Sequence, residues 1–453
     1  MASKTQRHRV WRLSFALLGA TTLALSAAAC KGGDSTTTDK LNTPECAAFK
    51  EFTGIAGKKV TIYASIRDVE QDLLKQSWKD FENCTGVKID YEGSGEFETQ
   101  IKVRVDGGRA PDIAFVPQPG VLEFFAKGGK LKELGAAAKT TAQQNYSADW
   151  LKYATVDGKV YGAPLGSNVK SFVWYSPKMF KDNNWKIPES WADLITLSDS
   201  IAAGGKLKPW CAGIESGVAT GWPATDWIED ILLRDQGPQV YDQWVSHQIP
   251  FNDSKIVSAV DRAGTILKNP AYVNGGVGDV KSIATTSFQE GGLPIIQGKC
   301  ALHRQASFYA NQWPQGTKVA EDGDVFAFYF PAIDAAKGKP VLGGGEFVVG
   351  FADRPEVQAV QAYLASAHHA NGRAKLGNWV SANKGVDLAN VANPIDKKSV
   401  QILQDPSTVF RFDGSDLMPA AVGSGTFWKG MTDWITGKDT KSTLDFIEGS
   451  WPK

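Results

Sequence analysis

Residues 208–227 read KPWCAGIESGVATGWPATDW, a loop of small residues with tryptophan on both sides. Tryptophan offers a flat apolar ring, and small residues let the backbone come close to a bound molecule. The stretch is therefore suited to binding a neutral, flat ligand. The alternative is that the three tryptophans pack in the protein core, and the stretch alone does not decide between the two interpretations.

Three carboxylates follow at Asp226, Glu229 and Asp230, which raises the question of acid–base catalysis. A glycoside hydrolase needs two carboxyl groups across the scissile bond, about 5 Å or about 6.5–9.5 Å apart. Residues three or four apart on a helix lie on one face instead. The sequence also contains no G-x-S-x-G, H-E-x-x-H or P-loop motif. Nothing positive therefore indicates an enzyme.

The composition argues against a highly charged partner or a metal. The 453 residues carry 49 basic and 49 acidic side chains. Removing residues 1–29, which hold four of the basic side chains, leaves 45 against 49, a net charge of −4. This balance gives no reason to expect nucleic acid. The cysteines and histidines lack the spacing of zinc ligands, so no metal and no other cofactor is expected.

The first 29 residues are typical of an export signal. Four basic side chains and no acidic ones precede a short apolar run, 13–29, which ends in small residues. Cys30 follows directly, which predicts its lipidation as the first residue of the mature chain; the alternative is a plain secretory signal. Residues 30–45 are small and polar, so we expect a lipid-anchored flexible tether at the outer face of the cytoplasmic membrane.

Strand and helix patterns alternate in the first part of the mature chain. KKVTIYASI reads as a buried strand, and VKIDYEGSG and APDIAFVPQPG contain the next two, with apolar residues at helical spacing between them. The alternation predicts an α/β fold with a parallel sheet, and the length calls for at least two domains. Ligands bind beyond the carboxyl ends of such strands, here at loops 65–70, 93–97 and 116–120.

Four stretches resemble the solute-binding proteins of carbohydrate ABC importers, the branch that includes maltose-binding proteins. They are APDIAFVPQPGVLEFFAKGGKLKEL, GKVYGAP with VWYSPKMF after it, PESWADL, and GGGEFVVGFADRPEVQAVQAYLAS. Together they span nearly all of the mature chain. The opening stretch, extended to WIEDILLR, looks most like the α-glucoside-binding subgroup of this family.

The resemblance implies the periplasmic-binding-protein fold, in which two α/β lobes are joined by a hinge that the chain crosses three times. The crossings are expected near 166–170, 330–334 and 368–379. The first lobe is expected to hold 46–167 and 335–370, and the second lobe 168–333 and 371–453. A ligand would lie in the cleft and be enclosed by hinge closure.

Four cysteines remain after Cys30, and four cysteines can pair in three ways. An exported protein enters an oxidising compartment, which favours pairing. Pairing within each implied lobe joins Cys46 to Cys84 and Cys211 to Cys300, so these two disulfides are expected. Four buried free thiols are the alternative.

The resemblance also implies which side chains meet the ligand. Aromatic rings match the apolar C–H face of a sugar, and its hydroxyls need convergent polar partners. The polar candidates are Asp68, Glu96, Gln118, Glu346 and a donor, either Arg304 or Arg67. The candidates around the small-residue loop and on the aromatic side are Thr220, Trp222, Phe308 and Trp428. The alternative for each carboxylate is a solvated loop charge, and for each ring it is core packing.

The function implied by the resemblance is high-affinity capture of an oligosaccharide, most of all an α-glucoside such as trehalose, maltose or sucrose. The sugar would be delivered to the permease subunits of an ABC importer. No covalent chemistry is expected, and the protein is expected to be a monomer. The alternatives are a secreted glycoside hydrolase acting on a similar sugar and a structural surface lipoprotein.

Overall fold

The computed structural model describes residues 40–275, 277–405 and 407–452. The predicted export signal, the predicted lipidation site Cys30 and residues 31–39 of the predicted tether lie outside the described residues. Within them, no helix is both long enough and apolar enough to cross a membrane.

The strands form three principal sheets. The strands are β1 Lys59–Ala64, β2 Lys88–Gly93, β3 Ile113–Val116, β4 Thr155–Val156, β5 Lys159–Val160, β6 Gly162–Pro164, β7 Asn168–Val169, β8 Phe172–Tyr175, β9 Lys208–Trp210, β10 Cys300–Arg304, β11 Phe326–Tyr329, β12 Lys339–Gly344, β13 Phe347–Gly350 and β14 Thr408–Phe412. Strands β4 and β5 form a separate hairpin.

The helices pack around these sheets and begin at identifiable caps. The α-helices are α1 Asp68–Ser77, α2 Lys79–Thr85, α3 Phe97–Asp106, α4 Pro119–Lys127, α5 Ala136–Asn145, α6 Ala148–Leu151, α7 Pro177–Asp182, α8 Trp191–Ala203, α9 Trp222–Asp235, α10 Pro238–Val245, α11 Ser254–Leu267, α12 Pro355–Leu364, α13 Ala367–Lys375, α14 Pro394–Gln404, α15 Gly414–Leu417, α16 Trp428–Thr436 and α17 Thr440–Glu448. Ser190 and Asp193, for example, form a reciprocal capping box at the start of α8.

The first lobe is built on a five-stranded sheet in the order β2-β1-β3-β13-β6. Strand β1 runs parallel to both β2 and β3, with Ala64 opposite Gly93 on one side and Phe115 on the other. Strand β13 then returns antiparallel to β3 and β6. Because the three parallel strands end together, the loops after them meet at one edge of the sheet, as the sequence predicts.

The second lobe is built on a four-stranded sheet in the order β11-β8-β10-β9. Every residue of β8 and β10 is buried; β8 is continuously apolar or aromatic, whereas β10 ends in the buried polar residues His303 and Arg304. Strand β8 is antiparallel to β10 and β11, whereas β9 and β10 run parallel. This sheet is therefore a central layer covered on both faces.

A three-stranded sheet, β14-β12-β7, connects the lobes. Strand β7 lies at the first chain crossing, and its Asn168 pairs with Gly344 at the end of β12. Val341 and Leu342 of β12 belong to the same large core cluster as the second lobe's strands. Strand β13, which follows, packs in the first-lobe clusters. The lobe boundaries drawn from the sequence stay a prediction.

Two disulfides are present, with the pairings expected from the sequence. Cys46 joins Cys84, which lies in α2, with 5.5 Å between the Cα atoms. Cys211 joins Cys300 at 5.8 Å between the Cα atoms, and this bond links the end of β9 to β10. All four sulfur-bearing residues are buried in the core of their own lobe, so each bond braces one lobe and leaves the hinge free.

Candidate functional site

A cavity of about 190 Å³ lies between the loops that follow β1, β2 and β3 and several segments of the second lobe. Its first-lobe wall is formed by Ser65, Ile66, Arg67, Asp68, Glu70, Gly95, Glu98, Pro117 and Gln118. Its second-lobe wall includes Ser216, Ala219, Trp222, Phe288, Gln289, Phe308, Gln312 and Trp428. Its floor is formed by Asn168, Lys170, Gly344, Gly345, Glu346, Asp413 and Asp416 near the hinge.

The first-lobe wall is polar because three loop starts converge there. Arg67, Asp68 and Glu70 all come from the turn that begins α1. Asp68 has a φ of 56°, in the left-handed region. A residue other than glycine pays roughly 1–3 kcal/mol for such a conformation, and strain of this kind concentrates at ligand sites. The conformation holds three polar side chains at the cavity instead of spreading them along a regular helix.

Gln118 and Glu98 form a second polar pair on this wall. The Gln118 side-chain amide donates to Glu98 Oε1 at 3.4 Å. Gln118 is only 4% exposed, and its Oε1 has no hydrogen-bond partner within the described part of the chain. A buried acceptor without a partner is unfavourable. A ligand hydroxyl that donates to Gln118 Oε1 would remove that cost.

The second-lobe wall carries a cluster of aromatic rings. Trp222 starts α9, and its ring centroid lies 5.2 Å from that of Phe288 and 6.0 Å from that of Phe308. Trp428 begins α16 after a π-helical turn, Val422–Phe427, a feature often found at functional sites. The rings give the cavity an apolar face opposite its polar one.

Gly221 fixes the small-residue loop against Trp428. Its φ is 114°, and a Cβ at this position would stand 2.1 Å from the Trp428 carbonyl oxygen. Only glycine fits such a close backbone approach. The loop at residues 216–221 is therefore held beside the late tryptophan, which brings Trp222 and Trp428 to one wall although 206 residues separate them in sequence.

Six of the nine predicted ligand-binding residues line the cavity. They are Asp68, Gln118, Trp222, Phe308, Glu346 and Trp428. The structure places the other three, Glu96, Thr220 and Arg304, outside its lining.

Glu96 lies just outside the lining of the cavity. It is the exposed residue immediately before α3, and its Oε1 lies toward Gly217, 3.5 Å from where a Cβ on that glycine would stand. Glu98, two residues later, turns into the cavity instead. The first-lobe and second-lobe loops therefore meet at the rim, where Glu96 faces the small-residue loop.

Thr220 uses its hydroxyl to close the small-residue loop. Its Oγ1 accepts from the Ser216 amide at 3.0 Å and donates to the Gly217 carbonyl at 2.7 Å. The hydroxyl is therefore satisfied within the loop, and the neighbouring Ser216 and Ala219 face the cavity in its place.

Arg304 is buried behind the cavity in an ion-pair network. Its guanidinium donates to Asp230 Oδ2 at 2.9 Å and lies 3.7 Å from Asp226 Oδ2. Asp230 also binds Arg234 and accepts from the Ser171 hydroxyl. The donor expected at Arg304 is committed to these carboxylates, and Arg67 is the guanidinium that lines the cavity.

The tryptophans of the opening stretch divide between the two interpretations. Trp210 and Trp227 pack edge to face at 5.2 Å between ring centroids, and both are almost fully buried in the second-lobe core. Trp222 is half-buried and lines the cavity. The binding interpretation therefore applies to Trp222, and core packing applies to the other two.

Lys170 was not predicted as a site residue, yet it occupies the centre of the cavity floor. Its ammonium donates to Asp226 Oδ1 at 2.9 Å and to Asp413 Oδ2, and it lies 5.1 Å from the centre of the Trp222 ring. Burial lowers the pKa of Lys170, but the surrounding carboxylates outweigh burial and hold it well above its usual value. Lys170 therefore stays charged and ties the first crossing to α9 and to the segment after β14.

Asp226, Glu229 and Asp413 present oxygens within 4.8 Å of one another, a spacing that fits a metal ion. Lys170 supplies positive charge to two of these carboxylates. The Glu229 oxygens accept from the Gly414 and Ser415 amides at 2.8 and 2.9 Å. The Lys170 ammonium and backbone amides therefore compensate the charge of this group. Its three residues stabilise the structure of the cavity floor.

Four cavity carboxyls, those of Glu70, Glu98, Glu346 and Asp416, have raised pKa values. Burial, reinforced by the nearby Glu346, raises the pKa of Glu70 to about 7. Burial also raises the pKa of Glu346, of Glu98 and, most strongly, of Asp416. These four groups hold their protons to higher pH than ordinary carboxyls do, which reduces the negative charge of the cavity. A neutral hydroxylated ligand suits such a site, because these groups can both accept and donate hydrogen bonds.

The sequence of this chain matches one protein family over most of its length. Residues 67–383 match the family described as bacterial extracellular solute-binding protein. The osmoprotective compounds-binding protein GgtB of Synechocystis sp. is 42% identical over 398 residues, which cover 87% of this chain and 93% of GgtB. The alpha-glucosides-binding periplasmic protein AglE of Rhizobium meliloti is 36% identical over 423 residues, 91% of each chain.

Solved structures share the fold at low sequence identity. The bacterial solute receptor AcbH superposes with a TM-score of 0.73 at 19% identity, covering 87% of this chain and 98% of AcbH. The maltose-bound MalE3 of T. maritima superposes with a TM-score of 0.65 at 13% identity, covering 87% and 98%. The two-lobe α/β architecture expected from the sequence is confirmed, and the chain belongs to the bacterial extracellular solute-binding protein family.

Proposed function

We propose that this protein captures a short α-glucoside in the cleft between its lobes and delivers it to the permease of an ABC importer. One observation carries the proposal: a single cavity has a polar wall on one side and an aromatic wall on the other. A sugar ring has the same asymmetry, with hydroxyls at its rim and C–H bonds over its face. Trp222, Phe308 and Trp428 would contact that face, and Asp68, Gln118 and Glu346 would bind hydroxyls.

The relatives support the choice of α-glucosides. AglE is named as a binding protein for alpha-glucosides, and GgtB as one for osmoprotective compounds. Both relatives match nearly the whole chain, including the cavity loops. An α-glucoside is a neutral solute, which suits a cavity in which burial raises the pKa values of several carboxyls.

The size of the cavity supports a short ligand. At about 10–15 Å³ for each water-sized group, a volume of about 190 Å³ holds roughly 13 to 19 such groups. A hexose ring with its substituents has twelve non-hydrogen atoms and a disaccharide has twenty-three. One hexose ring therefore fits within the cavity, the second ring of trehalose, maltose or sucrose would extend in part toward the cleft opening, and longer glucosides would extend further.

We further propose that the site binds its sugar without cleaving it. The helical carboxylates Asp226, Glu229 and Asp230 are committed to Lys170, backbone amides and arginines. The relatives GgtB and AglE are binding proteins. A glycoside hydrolase remains the second candidate only because Glu70 and Glu346 are two cavity carboxyls with raised pKa values.

Export, anchoring and delivery complete the proposal. The basic and apolar leader, with Cys30 after it, supports export and lipid attachment outside the cytoplasmic membrane. The rim contact between Glu96 and Gly217 supports closure of the two lobes over the sugar. The closed monomer would then dock on the membrane permease, the partner proposed from the family.

The direct experiment is a thermal-shift screen of the purified protein against mono-, di- and trisaccharides. A ligand that binds only the folded state stabilises it and so raises the melting temperature. At a ligand concentration a hundred times Kd, the stabilisation is about 2.7 kcal/mol. We expect a saturable shift with an α-linked disaccharide, and chromatography should return that sugar intact. Absence of a shift with every sugar contradicts sugar capture, and cleavage of the bound sugar supports the hydrolase candidate.

A further inference from the structure

A small chamber extends from the main cavity toward the hinge. It shares Glu70, Phe308 and Glu346 with the main cavity and continues to Trp379 and Asp396. Its volume is about 30 Å³, room for two or three water-sized groups at roughly 10–15 Å³ each. The chamber is therefore an extension of the proposed sugar site that is too small for a second ring.

Two polar atoms in the chamber wall are buried without a partner. Ser167 is 8% exposed, and its Oγ makes no hydrogen bond within the described residues. Asn168 Oδ1, on the next residue, also lacks a partner there. Native structures pair nearly all buried polar atoms, with protein, water or ligand. A serine hydroxyl can donate and an amide oxygen can accept, so each of the two atoms can bind a ligand hydroxyl.

Carboxyl groups and aromatic rings share the other walls of the chamber. The carboxyls are those of Glu70, Glu346 and Asp396, and the rings are those of Phe308, which also lines the main cavity, and Trp379. A group that fills the chamber is therefore expected to combine a hydroxyl for the polar side chains with a small apolar part for the two rings. A primary alcohol on a methylene carbon has two non-hydrogen atoms and meets both requirements.

We infer that the hinge chamber receives the exocyclic hydroxymethyl group of the bound sugar, with its hydroxyl between Ser167 Oγ and Asn168 Oδ1. This inference rests on the proposed function and deepens it. It assigns Ser167 and Asn168 the selection of hexoses that carry a free 6-hydroxyl, over 6-deoxy sugars and pentoses.

Gly166 keeps the chamber open. A Cβ at this residue would stand 2.8 Å from Trp379 Nε1 and 3.3 Å from Glu346 Oε2. Its φ lies outside the left-handed region, so an alanine backbone is allowed there and only the space is lacking. An added methyl group forces the indole to shift, which alters the far wall of the chamber. Gly166 is therefore a specificity-determining residue at this site.

The test compares trehalose with 6,6′-dideoxytrehalose by isothermal titration calorimetry. Trehalose has two identical rings, so the analogue lacks the 6-hydroxyl whichever ring is bound. We expect the wild-type protein to bind trehalose at least about tenfold more tightly than the analogue, since a buried pair left without its hydroxyl costs about that much.

Two variants locate the discrimination. We expect Gly166→Ala and Ser167→Ala each to reduce the preference for trehalose to about threefold or less, mainly by weakening trehalose. Ser167→Ala removes an atom that has no hydrogen-bond partner among the described residues, so its folding should be intact even if Gly166→Ala unfolds. Gly372→Ala is the matched control, because a Cβ at Gly372 meets nothing within 4 Å, and it should keep the wild-type preference.

The outcomes separate the inference from the proposed function. Equal binding of the two sugars by the wild-type protein, or an undiminished preference in the folded variants, overturns the chamber assignment and leaves sugar capture standing. If trehalose does not bind, the inference falls. If the whole disaccharide panel also fails to bind, the proposed function falls with it.

Discussion

The two walls of the cleft differ in both chemistry and construction. The first-lobe wall carries carboxyls, an amide and a guanidinium, whereas the second-lobe wall carries four aromatic rings. The polar side chains stand on loops that follow three neighbouring parallel strands. The aromatic side chains come from distant segments that are held together by the second-lobe core.

Because of this difference, the contribution of a residue to sugar binding can be tested separately from its contribution to stability. A side chain on the polar wall has few structural duties, so its replacement should change affinity more than stability. The aromatic wall is continuous with the core, since Trp428 is 3% exposed and Trp227 lies one helical turn behind Trp222. We therefore expect some residues of this wall to bind the sugar and others to stabilise the core.

The largest expected effect is at the floor that joins the two walls. Lys170→Met removes the buried ammonium that pairs with both Asp226 and Asp413. Breaking a buried ion pair in this way costs about 3–5 kcal/mol, which urea denaturation should show as a loss of unfolding free energy. The matched control is Lys429→Met, which breaks the exposed pair with Asp433 and should cost about 1 kcal/mol or less. Similar losses in the two variants contradict the role given to Lys170.

The next effect distinguishes two tryptophans of the same helix. Trp222→Ala removes a cavity ring and should weaken α-glucoside binding by about 30-fold, or about 2 kcal/mol. Trp227→Ala opens a hole in the core and should reduce the unfolding free energy by about 3–5 kcal/mol. Calorimetry at 15 °C should find sugar affinity nearly unchanged in any Trp227→Ala protein that stays folded. The reverse pattern would exchange the roles assigned to the two rings.

A smaller effect depends on pH. The folded-state pKa of Glu70, about 7, lies above its ordinary value of 4.5. The folded state therefore holds this proton more tightly than the unfolded chain does. Stability from the protonated group is complete below about pH 4.5 and is lost as the pH rises through about 7.

Glu70→Gln removes this loss because glutamine does not ionise. The variant should melt at a higher temperature than the wild-type protein at pH 8 and at nearly the same temperature at pH 4. Glu51→Gln, on an exposed residue, is the control and should leave the pH profile unchanged. An equal shift at both pH values would contradict the assigned cause.

The smallest expected effect is at the rim. Glu96 is exposed and outside the cavity lining, so Glu96→Gln should change sugar affinity by about twofold or less. Glu98→Gln is the contrast, because Glu98 lines the cavity and accepts from Gln118. Calorimetry should find the larger loss of affinity at Glu98. A larger loss of affinity in Glu96→Gln would mean that Glu96, and not Glu98, belongs to the polar wall of the cavity.

Strand ends were the most informative feature of the sequence. Alternating strands and helices bring the loops after β1, β2 and β3 to one edge, which is why Asp68 and Gln118 were found. The same rule applied to β14 would have pointed to Asp413. The strand-end rule did not distinguish Glu96 from Glu98. These two side chains at the start of α3 point in different directions, and the conformation of the preceding loop determines which of them faces the cavity.

Long-range assembly explains most of what the sequence missed. Lys170, Asp226 and Asp413 meet only because the hinge sheet and α9 are packed together. Formal charge alone made Arg304 a plausible ligand donor, and only the packing reveals its two aspartate partners. Trp222 and Trp227 are five residues apart on one helix, about 140° apart at 3.6 residues per turn. Their different roles follow because α9 directs Trp222 toward the cavity and Trp227 toward the core.

The most direct test of sugar capture is a titration of the purified protein with trehalose, maltose and sucrose, followed by calorimetry. The wild-type protein should show saturable binding of one sugar molecule per chain for at least one of them. The double variant Gln118→Ala/Trp222→Ala, which removes one contact from each wall, should lose nearly all of that heat while keeping its fold by circular dichroism. Undiminished binding in the folded double variant would contradict the assignment of this cleft as the sugar site.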